Sequence, residues 1–327
     1  MNVLNKNTIF FLIIVGIFLL LVPFFAGRYL IYIINIAGIY SIVALGLNLL
    51  MGYAGQISLG HAAFFAIGAY SSALLANGGL SFWLAMPISG FLTALTGLAL
   101  GLPALRLSGF YLAMATWGFS AIVNEVVIEW KSLTRGFSGL NVPRPTLGPL
   151  TFETETSFYY LILGITALLF FLAFNIIRTK TGRALMALRD NESAAQTFGI
   201  NLARYKTIGF TLSAFYTGIA GSLFAHFMGY IGPDNFTIWV SIEFIVMIIV
   251  GGMGSLLGSV LGAIFFTFLP ELIRFIKDYF PSFLREESDI QAIFYGLIML
   301  LFIMFAPQGL MGFIHRLRVV PKNRKRR

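Results

Sequence analysis

Long apolar runs, each about the length of a bilayer crossing, fill this chain and set the solvent in which it folds. About ten can be drawn, at roughly 9–26, 29–51, 57–76, 82–103, 108–130, 157–177, 207–229, 236–251, 255–276 and 290–306. A run of about 20 apolar residues crosses the hydrocarbon layer as a helix. Helix is the required form, because lipid offers a backbone N–H or C=O no partner. A membrane barrel would show alternating stretches of about ten residues, whereas these runs are unbroken. The expected fold class is therefore all-α: a polytopic transmembrane helical bundle of about 8–10 spans, one transmembrane domain over 1–327. Charged residues are only 11% of the chain and hydrophobic ones 58%, against about 25% charged in a soluble domain. Little chain remains for a separate enzyme domain.

Charge then gives orientation. With both termini placed inside the cell, Lys6, Arg106, the 178–206 loop and the tail share the cytoplasmic side and hold most of the Lys and Arg. This is the positive-inside pattern. The net charge of +9 therefore reads as topology and not as a nucleic-acid surface, which would need a basic domain interleaved with aromatics. The basic tail 313–327, with Arg316, Arg318, Lys322 and Arg324–Arg327, suits anionic lipid headgroups. The apolar run after Lys6 is too long for a cleaved leader and lacks an A-x-A site, so it reads as a retained first span. Residues 131–156, with Pro143, Pro145 and Pro149, read as an irregular external loop. Residues 178–206 are rich in helix formers and predict a short helix or two on the cytoplasmic face.

The informative polar groups sit where runs meet. Gly52-Tyr-Ala-Gly-Gln-Ile-Ser-Leu-Gly-His61 crowds Gly52, Gly55, Gln56, Ser58 and His61 at a membrane edge. Non-helical backbone at that depth survives only when buried in protein or lining a water-filled cavity. The stretch reads either as a broken helix on a translocation path or as a tight turn with small-residue packing. A second such stretch, Gly251-Gly252-Met-Gly254-Ser-Leu-Leu-Gly258, joins spans eight and nine and hints at an internal repeat with the path between its halves. Glu243 lies inside a span, where ionisable groups are costly; it faces the path or holds the bundle together. Glu271 and Arg274 are spaced to pair on one helix face. His61 and His226 have no ligand partners at metal spacing. With no cysteine, no P-loop and no catalytic motif, nothing calls for a catalytic residue, metal or cofactor.

Three blocks carry a family resemblance. Gly46 to Tyr70, Thr181 to Ile200 and Glu243 to Gly258 resemble the signatures of LivM-type permeases of branched-chain amino-acid ABC importers, over roughly residues 30–312. The resemblance implies a bacterial inner-membrane permease without an ATPase of its own. Its partners would be a second homologous permease, two ATP-binding subunits and an external substrate-binding protein. It also implies that the 181–200 segment is a coupling helix docked on the ATPase. Arg183, Leu185, Leu188, Arg189, Asp190, Glu192, Ala195 and Gly199 are then coupling candidates, with Phe198 a further apolar group to bury. One departure stands out. The broader importer motif puts E-A-A three residues before a glycine, whereas Ser193 here separates Glu192 from Ala194-Ala195 and Gly199. Two alternatives stay open: a urea or short-chain amide importer permease, which shares these motifs, and an ion-coupled secondary transporter, which would need no coupling helix.

Overall fold

The computed structural model describes residues 18–104, 107, 109–147 and 150–277, together with residue 16 and positions between 296 and 312. Most of the segments expected at 9–26 and 290–306, and the tail 313–327, lie outside the described residues.

The protein is an all-α bundle. Helix α1 is described over residues 18–25. There follow α2 (Arg28–Asn48), α3 (His61–Asn77), α4 (Phe82–Ala104), α5 (Gly109–Glu129), α6 (Lys131–Thr134), α7 (Glu155–Arg178), α8 (Lys180–Asp190), α9 (Glu192–Thr197), α10 (Leu202–Met228), α11 (Ile238–Gly251) and α12 (Leu256–Lys277). Among the described residues, seven helical segments are long and apolar enough to cross a membrane. The 17-residue α3 is not one of them. The third apolar run was expected to begin at 57, but residues 54–60 leave the helix. Hydropathy continues through this stretch, so apolarity alone hides the break.

Long apolar helices associate in lipid by close packing, since lipid is as apolar as Leu. Small residues do this here. A Cβ on Gly68 of α3 would collide with the backbone of Gly218 in α10, and one on Gly221 with the carbonyl of Phe65. At the α11–α12 hairpin a Cβ on Gly262 would strike the carbonyl of Met247. Aromatic rings fill the space between: Phe65 meets Phe224, Phe236 and Phe244 at centroid distances of 5.0, 5.7 and 5.5 Å. We expect Gly221→Val to force α3 and α10 apart at a cost of about 1–3 kcal/mol or more. A fall in monodisperse protein recovered from membranes checks this; undiminished yield and melting temperature would refute it.

One end of the bundle carries α8 and α9. The opposite end carries two small strand pairs. Strand β1 (Leu140–Asn141) pairs antiparallel with β4 (Tyr230–Ile231), and β2 (Thr146–Leu147) with β3 (Leu150–Thr151). The loop over 131–156 is thus more ordered than its prolines suggested. Its carbonyls find distant donors: Asn77 Nδ2 reaches Asn141 O at 2.9 Å, Trp83 Nε1 reaches Thr146 O at 3.0 Å, and His226 Nδ1 reaches Pro143 O at 2.7 Å. Only folding brings those donors near, so local composition gives no sign of them.

Candidate functional site

Helix α2 does not simply stop. It widens into a π-turn, Leu49–Tyr53, and the backbone bonds then run backwards. Gly55 N–H bonds Met51 O at 3.2 Å and Gln56 N–H bonds Leu50 O at 3.0 Å. Gly55 takes φ +69°, a left-handed turn that glycine adopts without steric cost. The carbonyl of Gly52, which a continuing helix would satisfy from residue 56, receives no such bond. Arg189, at the end of α8, supplies it: Nη1 donates to Gly52 O at 3.0 Å.

The second glycine stretch arrives at the same place. Asn48 is fully buried and its amide spans the gap. Its Oδ1 accepts from Gly254 N–H at 2.8 Å. Its Nδ2 donates to Ser255 O at 2.8 Å and to Ser259 Oγ at 2.6 Å. Gly52 must be glycine for this, because a Cβ there would overlap Asn48 Oδ1. Gly251 packs on Gly258, and Gly252 on Gly309. Gly254, at φ +79°, lies where its Cβ would stand 2.9 Å from Arg189 Nη1. Gly52, Gly55, Gly251, Gly252 and Gly254 therefore form one junction between the ends of α2, α8, α11 and α12.

From this junction the chain runs inward to α3. The first-turn N–H groups of a helix have no partner within it, and at membrane depth water cannot serve. Hydroxyls take their place. Leu59 N–H bonds Thr116 Oγ1 of α5 at 2.9 Å, Gly60 N–H bonds Ser58 Oγ at 3.3 Å, and Ala62 N–H bonds Ser241 Oγ of α11 at 2.8 Å. His61, fully buried, holds Ser58 Oγ at 3.2 Å through Nδ1 and Ser213 Oγ of α10 at 2.7 Å through Nε2. Ser58 and His61 are thus tied to the α3–α10 seam. Farther along that seam, Ser72 meets Ser222 at 2.7 Å and His226 Nε2 at 3.0 Å. Both histidines bond hydroxyls. Among the described residues no hydrogen bond or ion pair to Glu243 is found. Glu271 and Arg274 do pair, at 3.9 Å, with Tyr29 between them.

The 178–206 region forms two helices, and they are fastened to the bundle. Leu185, Leu188 and Ala195 are buried within the chain itself. They anchor the segment, so they are not available to a partner as their apolarity suggested. Glu192 also turns inward. Its Oε2 pairs with Lys206 Nζ at 2.8 Å, and its Oε1 accepts from Gln56 Nε2 at 3.2 Å. Lys206 is only 3% exposed. Asn191 caps α9 by accepting from Ala194 N–H at 2.9 Å. Arg183 bonds the carbonyl of Arg178, and Asp190 pairs with Arg189 at 3.0 Å; Arg183 and Asp190 lie at the surface. Phe198 is 86% exposed, and Gly199 beside it has φ +79° with open space around it. Asn48, Lys206 and the hydroxyls of Thr116, Ser213, Ser241 and Ser259 are site residues that sequence reasoning passed over. A lone Asn inside an apolar run was the available signal for the first.

Comparison with known proteins gives the family of the chain. Residues 29–303 match the family described as branched-chain amino acid transport system, permease component. The LivM permease of the high-affinity branched-chain amino acid system of Escherichia coli is 35% identical over 314 residues, covering 88% of this chain and 71% of that protein. A probable LivM of Methanocaldococcus jannaschii is 25% identical over 318 residues, covering 84% and 90%. The LivH permease of Escherichia coli is 25% identical over 301 residues, covering 85% and 93%. No solved structure matches. With its multi-pass bundle and a family match over most of its length, the chain belongs to the branched-chain amino acid transport permeases.

Proposed function

We propose that this chain is one of two homologous permease subunits of an ATP-driven importer for leucine, isoleucine or valine. It sits in a bacterial inner membrane with both termini cytoplasmic, and separate ATP-binding subunits and an external binding protein complete the machine. The α8–α9 segment over 178–206 is the coupling loop, the strand-bearing region over 131–156 is external, and the basic tail 313–327 meets lipid headgroups. The observation that carries this reading is the two-sidedness of α8–α9. One face is anchored by Leu185, Leu188, Ala195 and Glu192. The other offers Phe198 and Gly199 to the outside. A large exposed aromatic on a charged surface marks a partner's pocket, and an external motor needs such a handle on a chain without a P-loop.

A second feature supports a permease partner. Helix α5 crosses with much of its surface uncovered by described residues, and Glu125 sits on the exposed side. An ionisable group within a span is costly where it faces lipid. A second permease, with a wet path between the two, removes that cost.

Uptake of labelled leucine and labelled urea, in cells with and without the gene, tests the substrate. Loss of leucine uptake alone is expected. Intact leucine uptake with lost urea uptake would move the assignment to an amide importer. Tagged protein from native membranes should carry ATPase subunits with it. Phe198→Asp should release them with no change in melting temperature. Transport by the isolated chain, driven by an ion gradient, would overturn the reading.

A further inference from the structure

The polar contacts of α8 and α9 with the membrane bundle reach three places: the junction through Arg189, the loop leading from it through Glu192 and Gln56, and α7 and α10 through Arg183 and Glu192. Arg189 is central. Its Nη1 bonds Gly52 O at 3.0 Å, a carbonyl of the π-turn that the backbone bonds to Met51 O and Leu50 O pass over. The same nitrogen lies against Gly254. Its Cα and Cβ pack on Gly55, where a glycine Cβ would stand 3.0 and 3.3 Å away. Its Nε and Nη2 hold Asp190 Oδ1 at 3.1 and 3.0 Å, which fixes the plane of the guanidinium. A planar fork held on one edge and bonding from the other is a rigid link, and a lysine cannot reproduce it. Across the junction, Asn48 locks Gly254 and Ser255 to α2. Two chain breaks therefore meet one side chain: the end of α2 with the 54–60 loop that follows it, and the α11–α12 turn.

We propose that Arg189 is the positioning residue that makes α8 and the two glycine breaks move as one body, so that a displacement of α9 is delivered to α2, α11 and α12 together. This rests on the reading that α9 faces an ATPase, and it assigns the route by which that motion enters the bundle. Glycine suits such a route. Gly55 and Gly254 occupy positive φ, where backbone angles can change without a Cβ clash, and hinges are built from a few such positions. Glu192 has a different task. It ties α9 to Lys206 on α10 and to Gln56, and so fixes the axis about which α8 can swing.

The full transporter in proteoliposomes tests this. The chain has no cysteine, so spin labels at Thr197→Cys and Met253→Cys, both exposed positions, report the distance between α9 and the α11–α12 turn. In the otherwise unchanged protein that distance should be narrow and the same with and without ATP. Arg189→Met should broaden it and lower substrate moved per ATP hydrolysed by roughly tenfold, within the usual range of coupling free energies. ATPase subunits should still co-purify, since the Phe198–Gly199 corner offered to them is unchanged. Gly254→Ala, which crowds Nη1, should act in the same direction. A distance that changes with nucleotide in the unsubstituted background would overturn the proposal even if Arg189→Met failed to fold. So would an unchanged transport ratio in a folded Arg189→Met. Failure of ATPases to co-purify with the unsubstituted chain would instead defeat the importer reading.

Discussion

Asn48→Leu should abolish uptake and destabilise the bundle, although leucine matches its neighbours in apolarity and approximately in size. The amide is fully buried and makes three hydrogen bonds across the junction. Leucine strands Gly254 N–H, while Ser255 O keeps its bonds from Ser259 N–H at 3.0 Å and Ser259 Oγ at 3.2 Å. The unpaired N–H costs about 1–3 kcal/mol and each of the two other lost bonds about 0.5–1.5 kcal/mol, so the sum is roughly 2–6 kcal/mol. Ser259→Ala removes just one partner of the amide, and Ser259 Oγ has a second bond to Ser255 O at 3.2 Å. Its effect should be about 1 kcal/mol, the net worth of one hydrogen bond. Thermal unfolding in detergent, measured on both variants, separates the two. If Asn48→Leu melted with the native protein, Asn48 would not be the bridge between the glycine breaks.

This residue also marks what the sequence could and could not reveal. Periodicity and length placed the spans, because a bilayer imposes its thickness on any chain that crosses it. The glycine breaks at 52–60 and 251–254 were legible for a related reason: helix formers give way to glycine where the run should continue. Asn48 carried no such mark beyond being polar in apolar surroundings. Its partners lie more than 200 residues away, and no local pattern names a partner at that distance. The loop over 131–156 fails similarly. Its prolines foretold a departure from helix, but the register of β1 with β4 depends on residues at the end of α10.

The charged helix shows a subtler limit. Arg189 and Glu192 became docking candidates because the family resemblance implies that their segment is a coupling helix. Amphipathic reading places charges on a helix and leaves their direction open. Arg189 turns inward because the π-turn exposes Gly52 O beside it, and a buried carbonyl must be satisfied. Leu185 and Leu188 were correctly read as groups to bury, yet their own chain covers them. Arg183, Asp190, Phe198 and Gly199 stay at the surface, a narrower set than the whole segment.

Lys206 and Glu192 lead to the second large effect, and it is asymmetric. Lys206 is almost wholly enclosed while Glu192 keeps 37% of its side chain open. Glu192→Gln leaves an enclosed ammonium without its counter-charge. Breaking a buried pair this way costs about 3–5 kcal/mol, and the open side of Glu192 puts the expected loss near the lower end, roughly 3 kcal/mol. Lys206→Met leaves the carboxylate instead, and that group can turn to solvent; the loss should fall to about 1 kcal/mol or less, as for an exposed pair. Combining the two substitutions should recover most of what Glu192→Gln loses, because the stranded charge is gone. Melting temperatures of the three variants decide this, and equal losses from the two single substitutions would mean the ammonium is hydrated. A penalty that depends on which partner is removed is the signature of an internal brace between α9 and α10, and a pair that served only to attract an external subunit would show none.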